Sequence, residues 1–171
     1  PTCGLTLYSA PDTQLVNAMF EAYNNWLADF CSHNPKLLKG LGLINLDDIQ
    51  WGIKELERCH KMGLIGACIP SYVDPSLPYQ DPVYEPFWAA ANDLEMPLSL
   101  HIATNRAGLG DKIIDFVDNM PADIVANMDY WVRTSLAQII LGGIFEKYPK
   151  LQIGSIEHEV SWVPYFLERL D

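Results

Sequence analysis

Short, almost continuously apolar runs alternate with longer amphipathic segments along this chain of 171 residues, and this alternation limits the fold more than any other feature. The apolar runs occupy 37–45, 64–70, 97–102 and 151–158. Strands that are apolar on both faces are typical of a parallel sheet that helices cover on both sides. The runs therefore predict four buried, parallel strands.

The segments between the runs carry apolar residues at every third or fourth position, as amphipathic helices do. They predict helices over 11–34, 47–63, 84–95 and 125–147, capped by Asp47 in the second, with a last helix capped by Ser161. A short helix is expected over 111–119, within the long connection 103–124. The apolar stripe expected for the first helix consists of Leu15, Met19, Tyr23, Trp26 and Phe30.

Strands that alternate with helices indicate an α/β fold whose parallel strands are joined by right-handed crossovers. Two architectures fit this order, an open doubly wound sheet and a (β/α)8 barrel. A nucleotide-binding doubly wound domain is disfavoured, because the glycines of 40–45 lie inside a predicted strand and form no phosphate-binding turn.

The composition, with 49% hydrophobic and 19% charged residues, is that of one globular domain over 1–171. A net charge of −11 argues against nucleic acid and anionic membrane surfaces as partners. No apolar run approaches the ~20 residues that span a bilayer. Scattered cysteines and the lack of a secretion signal favour a reduced, cytoplasmic protein, and the missing initiator Met favours a piece of something longer.

Two of the predicted strands end on histidine, at His101 and His158. Functional residues of parallel α/β folds collect at the carboxyl ends of strands. Because neighbouring strands lie ~4.8 Å apart, the two imidazoles could face one site. Each histidine alone is more simply a satisfied polar residue at the core edge, whereas two at equivalent positions favour metal binding or proton transfer. With His158 pointing inward, Glu157 and Glu159 are expected to point outward.

Several stretches of the chain resemble the amidohydrolase superfamily of metal-dependent (β/α)8-barrel enzymes, in particular its amidohydrolase-related, aminocarboxymuconate-semialdehyde decarboxylase-like branch. The similar stretches are 22–31, 38–45, 63–71, 81–101 and 142–171. The resemblance implies a partial (β/α)8 TIM barrel in which the four strands are the third to sixth. The first two and last two strands would lie outside this chain.

The resemblance also implies roles for both histidines. His101 would be a ligand of one divalent metal, expected to be zinc, and His158 would be catalytic by orienting or activating the metal-bound water. The absence of lysine from 67–71 favours one metal over two. The family's His-x-His of strand one and its aspartate near strand eight are absent, so the chain alone is expected to be inactive.

The main expectation is hydrolysis of an ester, lactone or amide by a metal-activated water. The alternative is non-oxidative decarboxylation of an unsaturated or aromatic acid. A third reading, from another class, is a non-catalytic interaction domain that forms a homodimer to cover its sheet edges. Asn45, Tyr72, Arg106 and Trp162 are candidate contacts to a small-molecule substrate. Turn chemistry explains Asn45 and Tyr72 equally well, and a surface position of Arg106 and docking of the last helix by Trp162 are the better explanations of the other two.

Overall fold

Four parallel strands lie side by side in chain order in the computed structural model, which describes residues 2–106 and 122–171. The strands are β1 (Leu41–Leu43), β2 (Gly66–Ile69), β3 (Leu98–His101) and β4 (Ile153–Ile156). The helices are α1 (Thr2–Leu5), α2 (Thr13–Ser32), α3 (Ile49–Lys61), α4 (Glu85–Asp93), α5 (Ala122–Ala126), α6 (Asp129–Leu141), α7 (Ile144–Lys147) and α8 (Val163–Leu170). Two 3-10 turns, Thr6–Ser9 and Pro82–Tyr84, precede α2 and α4. The predicted α/β class with parallel strands is confirmed.

Successive residues of each strand lie on opposite faces of the sheet, and the pairing between strands shows which residues share a face. Ala67 of β2 pairs with Gly42 on one side and Leu98 on the other, and Leu98 also pairs with Ile153. The face that carries Ala67 and Leu98 packs in the larger core cluster with buried side chains of the helices, including Leu56, Phe87, Trp88, Val132 and Ile139. The opposite face carries the side chains that approach the candidate site.

The buried face of α2 differs from the predicted stripe. Leu15, Trp26 and Phe30 are about half exposed, at 52%, 50% and 49%. The helix instead buries Val16, Phe20, Asn24 and Cys31. Val16 and Phe20 pack with Tyr8, Leu43 and Cys68 in a second, smaller cluster. The predicted stripe is wrong at Leu15, Trp26 and Phe30, whereas Met19 and Tyr23 pack against this cluster. The buried face is turned because Asn24 of α2 hydrogen-bonds to the sheet.

Three helix boundaries also differ from prediction. Asp48, not Asp47, caps α3, and its carboxylate accepts a hydrogen bond from the Trp51 N–H at 3.0 Å. The helix expected over 125–147 is divided into α5, α6 and α7, with a left-handed Gly143 (φ +71°) between the last two. Trp162 lies at the N-terminal cap of α8 without a side-chain hydrogen bond to the helix, so the predicted Ser161 cap is wrong.

The helix expected over 111–119 lies outside the described residues. Within the described ranges, none of the helices is long and apolar enough to cross a membrane.

Candidate metal-binding site at the strand ends

His101 is the last residue of β3, and its ring is oriented by the next residue of the chain. Its Nδ1 lies 2.8 Å from the Ile102 carbonyl oxygen, which can only accept. The proton of a neutral ring is therefore on Nδ1, and Nε2 carries a free lone pair. A backbone carbonyl that fixes the ring in this way is the usual support of a metal-binding histidine.

The His101 side chain lines a cavity of about 720 Å³ on the sheet face opposite the larger core. Cys68 and Ser99, on the same face of β2 and β3, also line it. Burial raises the pKa of the Cys68 thiol to about 12, so this sulfur is a protonated, inert wall atom at neutral pH.

Glu157 lines the same cavity, contrary to the expectation that it points outward. Its Oε2 lies 3.7 Å from His101 Nε2. β4 ends at Ile156, and Glu157 adopts a left-handed backbone conformation (φ +64°) that interrupts the in-and-out alternation of a strand. The sequence pattern missed Glu157 because it extended the alternation of the strand past the strand's end.

His158 lies on the other side of this turn and is 3% exposed. Its Nδ1 is 3.1 Å from Ser155 Oγ, and with Asp129 and Trp162 it lines a separate cavity of about 170 Å³. Burial lowers the pKa of His158 to about 4, and the electrostatic interaction with His101 acts in the same direction, against the opposite influence of Asp129 and Glu157. The two histidines are electrostatic neighbours that line different cavities.

Three residues just beyond β3 and β4 have left-handed backbone conformations although none is glycine. They are Ala103 (φ +68°), Glu157 (φ +64°) and Glu159 (φ +60°). Such conformations cost roughly 1–2 kcal/mol per residue and cluster at functional sites. The turns after β3 and β4 therefore store strain.

Asn45 and Arg106, two predicted substrate contacts, have protein partners. Asn45 is buried, and it donates to Asn17 Oδ1 at 2.9 Å and accepts from the Asp47 N–H. Arg106 forms a two-pronged ion pair with Asp47 and also donates to the Tyr8 carbonyl at 2.6 Å. Burial alone would raise the pKa of Asp47, yet hydrogen bonds from Arg106 and Thr13 hold this pKa below its usual value.

Tyr72 and Trp162, the other two predicted contacts, lie in loops beside the strand ends. The Tyr72 carbonyl accepts a hydrogen bond from the Arg106 N–H at 3.0 Å. Burial raises the pKa of the Tyr72 hydroxyl, with further contributions from Tyr130 and Asp74. Trp162 Nε1 donates to the His158 carbonyl at 2.7 Å, which ties the His158 turn to α8. Substrate contacts by all four residues stay predictions.

The donors in the large cavity suit a divalent cation. An imidazole nitrogen with a free lone pair and a carboxylate are both common ligands of zinc and manganese. Within the described part of the chain, no group of three or more His, Cys, Asp or Glu side chains is arranged to hold an ion. His101 and Glu157 therefore fit as part of a coordination sphere.

A family model described as Amidohydrolase matches residues 8–164. The chain belongs to the amidohydrolase family. Among curated amidohydrolase relatives, the gamma-resorcylate decarboxylase of Rhizobium sp. (strain MTP-10005) is 25% identical over 169 residues, which is 94% of this chain and 50% of that protein. The chain spans about half the length of the curated relatives it matches.

Two solved structures show the same fold. One is 2,6-dihydroxybenzoate decarboxylase complexed with 2,6-dihydroxybenzoate, with a TM-score of 0.76 and 22% identity over 97% of this chain and 52% of that one. The other is 5-carboxyvanillate decarboxylase from Novosphingobium aromaticivorans DSM 12444, complexed with manganese and 4-hydroxy-3-methoxy-5-nitrobenzoic acid. Its TM-score is 0.72, with 26% identity over 96% of this chain and 46% of that one.

These comparisons confirm the predicted superfamily and the predicted partial barrel. They contradict the main functional expectation. Hydrolysis of an ester, lactone or amide was the wrong choice, because the curated relatives above and the solved neighbours are decarboxylases of aromatic acids. The histidines did not distinguish the two reactions, since a metal site was expected for both.

Proposed function

We propose that this chain is part of a metal-dependent, non-oxidative decarboxylase of an aromatic carboxylic acid. The observation that carries the proposal is the setting of His101. Its Nε2 lone pair faces a cavity with apolar walls, in a chain whose matched relatives are aromatic acid decarboxylases. The activity belongs to the complete protein, because the chain spans about half the length of those relatives.

His101 would be one protein ligand of a single divalent metal. When bound, such a metal polarises the oxygens of a carboxylate and a neighbouring hydroxyl. We propose manganese, which accompanies the solved 5-carboxyvanillate decarboxylase, and the zinc expected from the sequence has no comparable support.

The cavity walls supply the rest of the binding environment. Leu41, Leu43 and Ile156 line it from the first and last strands, and Ile102 lines it beyond β3. These side chains suit the flat apolar face of an aromatic ring and exclude water from it. In decarboxylation the bond to the carboxyl carbon breaks, its electron pair stays on the ring carbon, and a proton is added there.

We retain His158 as the proposed catalytic residue beside this cavity. A pKa of about 4 makes its imidazole neutral at physiological pH, so it binds a proton only transiently. Ser155 Oγ contacts the ring at Nδ1, and Trp162 Nε1 donates to the His158 carbonyl, so the ring and its backbone are held in place. The substrate is proposed to be a small molecule, and the homodimer and the cytoplasmic location stay predictions.

The test is an assay of CO2 release by the complete protein loaded with Mn²⁺, on 2,6-dihydroxybenzoate and 5-carboxyvanillate, beside a panel of esters, lactones and amides. We expect CO2 release that His101→Gln reduces by about 100-fold or more and that His60→Gln, an exposed histidine at the end of α3, leaves unchanged. Acid release without CO2 would overturn the proposal. A complete protein purified gently without any bound metal would instead favour a non-catalytic interaction domain.

A further inference from the structure

Glu157 is a feature of the cavity that the proposed function leaves unexplained. Its Oε2 and His101 Nε2 are 3.7 Å apart, which is too far for a hydrogen bond. The Ile102 carbonyl takes the Nδ1 proton of His101, so in the neutral ring the two atoms that face each other both carry lone pairs. Two such acceptors repel one another unless a cation lies between them.

The backbone of Glu157 adds a second, independent observation. Its φ of +64° is a conformation that a glycine would adopt without strain, yet a glutamate is present. The left-handed turn places this carboxylate, whose side chain is 68% exposed, among the residues that line the large cavity. Glu159 has nearly the same conformation (φ +60°) but lines the smaller cavity beside His158, so the two glutamates form a natural matched pair.

We propose that Glu157 is a second protein ligand, beside His101, of the divalent metal, an inference that rests on the proposed function. An anionic oxygen donor suits manganese, which prefers carboxylates over softer ligands. The Glu157 carboxylate would otherwise repel an anionic substrate from the cavity that it lines.

Titration of the complete protein with Mn²⁺, followed by the electron paramagnetic resonance signal of the free ion, tests this without any turnover. Glu157→Gln should raise the Kd for Mn²⁺ at least tenfold, because the amide oxygen lacks the negative charge. Glu157→Asp should recover part of the affinity. Glu159→Gln, the matched control, should bind within about twofold of the wild type.

Glycine substitutions separate metal binding from folding. Glu157→Gly and Glu159→Gly both relieve a left-handed glutamate, so both variants should melt at or above the wild-type Tm. Only Glu157→Gly should lose Mn²⁺ affinity. A folded Glu157→Gly or Glu157→Gln protein that binds Mn²⁺ like the wild type overturns the proposal.

The His101→Gln variant shows whether a negative result rules out Glu157 alone as a ligand or the whole metal site of the proposed function. If His101→Gln abolishes binding and Glu157→Gln does not, Glu157 is no ligand and the metal site at His101 stands. If the wild type binds no Mn²⁺, or His101→Gln binds it normally, both the Glu157 ligand and the metal site at His101 are wrong.

Discussion

Asn24 binds both backbone polar groups of Leu43, as a neighbouring strand would. Its Nδ2 donates to the Leu43 carbonyl at 3.0 Å, and its Oδ1 accepts from the Leu43 N–H at 2.7 Å. The same Nδ2 donates to Glu55 Oε1 at 2.7 Å. Asn24 is fully buried on α2, so these bonds satisfy an edge of β1 that water does not reach. Asn24 thus hydrogen-bonds α2 to the edge of β1, beside the apolar packing of Val16 and Phe20.

Replacing Asn24 with leucine, which has a similar volume, should lower the free energy of unfolding by about 3 kcal/mol. Leu43 and Glu55 would then have buried polar groups without these partners, each at a cost of about 1–3 kcal/mol. Urea denaturation followed by circular dichroism measures the change. Asn25→Leu is the control, because Asn25 is exposed and its side-chain oxygen accepts a hydrogen bond from Arg58 at the protein surface. Equal losses in the two variants would mean that the pairing with Leu43 does not matter.

The strands lie close enough at Gly66 to exclude any side chain. A Cβ at Gly66 would lie 2.8 Å from the Pro97 carbonyl oxygen, a backbone atom that cannot move aside without shifting β3. Gly66→Ala should therefore destabilise the protein by about 2 kcal/mol or more. Gly154 in β4 offers the comparison, since the nearest atom to its Cβ would be Ile156 Cδ1 at 3.5 Å. We expect Gly154→Ala to change the urea midpoint little, and a reversed order would contradict the β2–β3 geometry.

The sheet was predictable because its strands are apolar on both faces, which leaves few alternatives to a parallel sheet between helices. The face of α2 that is buried could not be predicted. Both Leu15 and Val16 begin apolar series of helical spacing, and only the partner of Asn24, which lies 19 residues away at Leu43, decides which series is buried. A local pattern carries no information about such a distant contact.

The candidate site was predictable to the same extent. His101 was predicted because it ends a strand, a position that the hydrophobic run defines. The opposite directions of Glu157 and His158 depend on the left-handed conformation of residue 157, which a glutamate does not signal. Arg106 reaches Asp47 and Tyr8 from a loop far along the chain, and no spacing rule foretells that contact.

The Arg106–Asp47 ion pair should stabilise the fold more than a surface pair does. The Arg106 side chain is 9% exposed, and it joins the loop after β3 to the loop after β1. A double-mutant cycle with Arg106→Gln and Asp47→Asn should give a coupling energy of about 1–2 kcal/mol from urea melts. The exposed Lys147–Glu85 pair is the control, with an expected coupling below about 0.5 kcal/mol. Similar coupling energies for the two pairs would mean that Arg106 does not have the structural role assigned to it.

The buried His158 should make the protein acid-sensitive. Its pKa is about 4 in the folded chain against 6.5 for the free side chain, so the unfolded chain binds a proton between these values and the folded chain does not. The free energy of unfolding must then fall as the pH falls from 6.5 to 4. Above pH 6.5 the contribution of His158 to this free energy should be constant. At about 1.4 kcal/mol per pKa unit, the loss approaches about 3 kcal/mol at the acid end.

Urea melts of the wild type and His158→Gln between pH 4 and 7.5 measure this contribution as a difference. Carboxylates titrate in both proteins over the lower part of the range, so their effect cancels and the remaining slope belongs to His158. His33→Gln, which removes an exposed histidine at the end of α2, is the control and should retain the wild-type slope. If His158→Gln keeps the full wild-type slope, the imidazole is not held neutral by burial and has the proton affinity of an exposed ring.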